Sequence, residues 1–145
     1  MNTAAQFKSW LNKYEAAHQL SKRTGTAFDH TDLLRIALDR GVRFVVDVPT
    51  GTKDRQGRPM ESGLWDLIIE GKDGQPGKQQ IEFEINRQVS LAGITGAWVS
   101  RDGDRRQLPK LSYGAFPDGV TFGLRRQVVE DLAEELNKET AVKGR

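Results

Sequence analysis

Arg101, Arg105, Arg106 and Lys110 crowd one short stretch beside Trp98 and Tyr113, and Arg125 and Arg126 follow. Guanidinium groups pair with phosphate oxygens and aromatic rings stack on bases, so basic side chains interleaved with rings suit a nucleic-acid strand. Asp102 and Asp104 interrupt the run and cancel part of its field. The same composition also describes a solvated hairpin tip laced with internal ion pairs.

Other groupings offer less. Glu70-Gly71-Lys72, preceded by Asp47 or Asp54, is similar in outline to the acid-x-Lys core of metal-dependent nucleases, where carboxylates hold a divalent cation and a lysine helps activate water. Lys72-Asp73-Gly74 also reads as an ordinary charged turn. Glu82 and Glu84 stand two apart and, on a strand, would share one polar face. His18 and His30 show no ligand spacing with a second histidine, and no serine sits in a nucleophile-elbow setting. No catalytic residue, metal or cofactor is therefore assigned. Trp98, Tyr113 and Phe116 are candidate anchors for a protein partner, with Phe116, in Gly114-Ala115-Phe116-Pro117, expected to be the most exposed ring.

These side chains must be carried by elements that the periodicity outlines. Phe7, Trp10, Leu11, Tyr14, Ala17 and Leu20 recur at helical spacing and predict a first helix ending at Gly25. Asp29 or Thr31 caps a second helix with Leu33, Leu34, Ala37 and Leu38 inside, stopped by Gly41. Val42–Val48 is β-branched and halted by Pro49. Residues 49–62 read as an exposed loop, 64–70 as a strand, 72–78 as a turn and 80–85 as a strand with apolar residues at 81, 83 and 85. Residues 97–100 and 106–108 form a hairpin across Asp102-Gly103-Asp104. Residues 120–124 give a last strand and Gln127 opens a final helix with an acidic outer face. The expected fold is α+β: two N-terminal helices, an antiparallel sheet of four or five strands, and a C-terminal helix packed on the sheet. One domain is expected over residues 1–140, with 141–145 a frayed tail.

Tyr14-Glu15-Ala16-Ala17, then Leu20-Ser21, then Asp32-Leu33-Leu34-Arg35, closed by Asp39-Arg40-Gly41-Val42, resembles the winged-helix modules of phage excisionases and MerR-type regulators. The resemblance covers residues 1–48, about a third of the chain, and is shared with short phage and prophage proteins. It implies a helix in a DNA groove carrying Thr31, Arg35 and Arg40, and a wing carrying Lys53, Arg55 and Arg58 to phosphates.

Bulk composition restricts the partners only mildly. Hydrophobic residues make up 37% of the 145, with three Trp and six Phe, enough for a core and against a disordered chain. Basic and acidic residues number 22 and 20; the only distinctly basic part is 86–126, with seven against three. No cysteine is present, which excludes disulfides, thiolate metal sites and a cysteine nucleophile. The apolar runs are far too short to span a bilayer, and no secretory pattern opens the chain, so a cytoplasmic protein without membrane association is expected. Two functions follow: a non-enzymatic DNA-binding or regulatory protein of mobile-element type using Arg101, Arg105, Arg106 and Arg126 together with the N-terminal set, or a protein-binding module acting on a host or phage complex. A metal-dependent nuclease is the third.

Overall fold

The computed structural model describes residues 8–111 and 113–143. They divide into two compact units, one from residues up to Val42 together with Gly123 onward, the other from Arg43–Phe122.

In the first unit, β1 (Trp10–Asn12) pairs antiparallel with the Gly123–Arg125 part of β6 (Thr121–Arg125), Leu11 facing Leu124. The strands come so close that a Cβ on Gly123 would stand 2.1 Å from the Leu11 carbonyl oxygen. This corrects the expected helical stripe: Trp10 and Leu11 belong to a strand, Tyr14 is 61% exposed, and Phe7 lies outside the described residues. The reason is local. Asn12 caps α1 (Lys13–Thr24), its side-chain oxygen accepting the Glu15 N–H at 2.9 Å while the Glu15 carboxylate accepts the Asn12 N–H at 3.0 Å. This capping box fixes where the helix begins. Ala16, Ala17 and Leu20 form its buried face and Gly25 ends it.

Asp29 and Asp32 make a second capping box at the start of α2 (His30–Asp39), which buries Leu33, Leu34 and Ala37. Thr31 lies inside the first turn, after the cap. At the other end the Gly41 N–H donates to Leu38 and the Val42 N–H to Ala37. This is a Schellman closure that needs Gly41 at φ 65°. The last helix of the chain, Arg126–Lys143, packs against α1 and buries Val129, Leu132 and Ala133.

The second unit is an antiparallel meander, β2 (Val45–Val48), β3 (Gly63–Leu67), β4 (Trp98–Arg101) and β5 (Asp104–Gln107). Its core holds Phe44, Val46, Trp65, Val99 and Leu108. Asp102 and Gly103, at φ 51° and 84°, make the two-residue hairpin turn that the Asp-Gly pair predicts.

Residues 80–85 are not a strand. A short 3₁₀ turn (Lys72–Gly74) leads into α3 (Gln75–Ile85), with Pro76 in its first turn. Pro76, Gly77, Gln80 and Ile81 are buried, a helical spacing of one and four that outweighs the alternation at 81, 83 and 85. Phe83 and Ile85 are only half-buried. Gln80 accepts the Ala115 N–H at 2.8 Å, so tertiary packing decides the element. Glu82 and Glu84 consequently share no strand face.

The chain is α+β, with the last helix, Arg126–Lys143, numbered α4; the described residues hold six strands and four α-helices, against the four or five strands and three helices expected. No helix of the described residues is long and apolar enough to cross a membrane.

Candidate nucleic-acid interface

The loop between β2 and β3 is organised by one buried carboxylate. Asp54 is 4% exposed. One oxygen accepts the backbone N–H groups of Gln56 and Arg58, each at 2.9 Å. The other accepts Arg58 Nε and Arg106 Nη1, each at 3.0 Å. Burial alone would raise its pKa, but the Arg58 N–H, the Arg106 guanidinium and the Gln56 N–H prevail and hold the carboxyl below its usual range. Gly57 at φ 82° and the Lys53–Pro59 bridge close the turn. Asp54-Arg55-Gln56-Gly57 carries the turn signature of an Asp three residues before a Gly, a signal that the reading of 49–62 as a plain exposed loop passes over.

This loop is tied to β5. The Arg55 N–H donates to the Gln107 carbonyl at 2.8 Å, and Arg55 Nη1 to the Gln107 side chain at 3.2 Å. The β4–β5 register sets Gln107 opposite Trp98, and Arg105, two residues from Gln107, shares that face. Its guanidinium lies 5.4 Å from the Trp98 ring centroid and donates to Asp73 at 2.6 Å. Arg106, on the other face of the strand, reaches Asp54, Asp104 at 2.9 Å and the Pro59 carbonyl at 3.2 Å.

The outcome is a cleft of about 460 Å³ lined by Arg55, Arg58, Arg105 and half-buried Trp98, with Asp54, Gln56 and Gln107. Lys53 is exposed on the same loop. Five cations (Lys53, Arg55, Arg58, Arg105, Arg106) stand against three carboxylates (Asp54, Asp73, Asp104), so the surplus is positive.

The other residues singled out in the sequence do not join this cleft. Arg101 donates to the Ser62 carbonyl at 2.9 Å and lies 5.8 Å from the Trp65 ring. Thr31, Arg35, Arg40 and Arg126 belong to the first unit. There Arg40 is bound by Glu135 and Glu139 and Arg126 Nε donates to the Lys8 carbonyl at 3.0 Å, whereas Arg35 is exposed. The winged-helix set is thus divided, with 31, 35 and 40 in one unit and 53, 55 and 58 in the other.

Phe116 is not the most exposed ring. It is half-buried and 6.0 Å from Phe122, whereas Tyr113 is 71% exposed; ring pairing draws Phe116 in. Asp54, a candidate cation ligand beside Glu70 and Lys72, already accepts four hydrogen bonds, the full capacity of a carboxylate. Among the described residues no three carboxylate or histidine side chains gather as a cation site. Comparison of the chain with protein-family models, curated proteins and solved structures finds no match.

Proposed function

We propose that the protein is a non-enzymatic DNA-binding regulatory protein of mobile-element type that holds the phosphate backbone through the arginine-lined cleft of the second unit. The observation that carries this reading is the meeting of Arg55, Arg58 and Arg105 around Trp98. Guanidiniums drawn from a loop and a strand onto one cleft suit a row of phosphates. The mobile-element setting rests on the N-terminal resemblance, in which Arg35 remains an exposed cation.

A protein-binding module that modulates a complex is the second reading. It is favoured by Tyr113, 71% exposed, and by the aspartates that offset most of the cleft's charge. Fluorescence anisotropy against mixed-sequence DNA, titrated with salt, separates the two. On duplex, three or four phosphate contacts give a log–log salt slope of about −2.7 to −3.6, reduced in an Arg55→Ala/Arg58→Ala variant. No binding at low salt overturns the DNA reading and leaves the protein-partner one.

A further inference from the structure

Trp98 is more than a flank to the arginines. It is half-buried among more exposed guanidiniums, and the planar Arg105 group lies over its ring at 5.4 Å. The guanidinium thus covers one face of the ring in the arrangement that an unpaired base adopts on an aromatic platform. Arg105 is held there by Asp73 at 2.6 Å, in a pair whose two side chains are 49% and 46% exposed. A pair so open to water is readily exchanged for a phosphate. Arg55 and Arg58 stand beside the ring in the same cleft.

We propose that the cleft takes single-stranded nucleic acid, with one base stacking on Trp98 in the place of the Arg105 guanidinium, neighbouring phosphates on Arg55 and Arg58, and Asp73 competing with the strand for Arg105. This rests on the nucleic-acid reading above and deepens it. In a duplex both faces of each base are taken by its neighbours, and a ring recessed in a cleft meets only backbone. An unpaired base enters, and because every base has a π-face, binding is tolerant of sequence.

The test is anisotropy of the full chain at low salt with a short oligothymidylate, a mixed-sequence single strand and the duplex of that sequence. Oligouridylate tells DNA from RNA. Single strands bind about tenfold tighter than duplex, and Trp98→Ala removes about that factor while Trp98→Phe keeps most of it. Wild-type tryptophan fluorescence is quenched on binding, a readout that survives if Trp98→Ala fails to fold. Asp73→Asn tightens binding a few-fold by releasing Arg105. Equal duplex and single-strand affinity without quenching, lost in Arg55→Ala/Arg58→Ala, overturns the stacking site and leaves the phosphate reading standing. No binding of any of these probes overturns both.

Discussion

The two units use arginine and glutamate or aspartate in opposite ways. In the first, cations are met by one or two acids each: Arg23 donates to Glu130 at 2.9 Å, Arg40 to Glu135 and Glu139, and Lys8, ahead of β1, to Glu15 at 2.7 Å. These partners are half-buried to exposed, and they add register to helices that bury Leu20, Leu34 and Leu132. In the second unit a single buried acid, Asp54, serves two arginines and two backbone N–H groups at once. A cation matched or outnumbered by acids has its field cancelled. A shared acid fixes where its arginines point beside the unmatched charge of Lys53 and Arg55, so position, more than local charge density, separates a scaffold from a candidate interface.

The largest effect that would break this contrast is at Asp54. Asp54→Ala strands the Gln56 and Arg58 N–H groups and releases Arg58 and Arg106, for a loss of about 2–3 kcal/mol in urea unfolding. Asp54→Asn keeps one acceptor and loses roughly half as much. A loss in Asp54→Ala below that of an exposed ion pair would sink the idea of a shared anchor. Nucleic-acid affinity falls in both variants, since Arg58 is no longer aimed.

Acid sharpens the comparison. The folded-state pKa of Asp54 is depressed, so its contribution is fully present above the unfolded value of about 4 and is lost as pH falls through the lower folded value. Glu15, where burial is outweighed by Lys8 and the Asn12 N–H, is also depressed and behaves with the same sign. Unfolding free energy is therefore flat near neutrality and declines below about pH 4. Part of that decline disappears in Asp54→Asn, and an unchanged profile in that variant contradicts the assignment.

Some of this architecture was legible in the residues and some was not, for identifiable reasons. Asp29 and Gly41, Asp102-Gly103 and Pro49 signal their caps, turn and stop through backbone chemistry that acts locally, and the α2 boundaries and the hairpin lie where those residues imply. Residues 80–85 mislead because alternation of Ile81, Phe83 and Ile85 is a two-residue pattern, whereas the buried set 76, 77, 80 and 81 is visible only once Gln80 meets Ala115. Trp10 misleads because helical spacing extends backward past Asn12, the residue whose capping box starts the helix. At the candidate site the arginines and Trp98 stand out by type. Their convergence depends on Asp54 and Gln107, whose roles rest on contacts between residues far apart in sequence.

The first unit gives smaller effects. Asn12→Ala removes the acceptor for the Glu15 N–H and costs about 1 kcal/mol, read as a lower urea midpoint with the nucleic-acid affinity unchanged. A much larger loss would mean that the β1–β6 ladder depends on the cap.

Arg40 provides the smallest effect and the sharpest contrast. Its two glutamates are 58% and 47% exposed, so Arg40→Ala costs no more than about 1 kcal/mol, part of it from Glu135 and Glu139 repelling each other one turn apart. The resemblance to a winged-helix module would put Arg40 on the groove-facing helix, where its removal weakens binding by about 1–3 kcal/mol. A guanidinium already held by two carboxylates has little left to offer a DNA groove. In the cleft reading, Arg40→Ala leaves both slope and affinity as they were, while Arg55→Ala changes both. Measured side by side on one DNA, the two variants say which unit meets the strand.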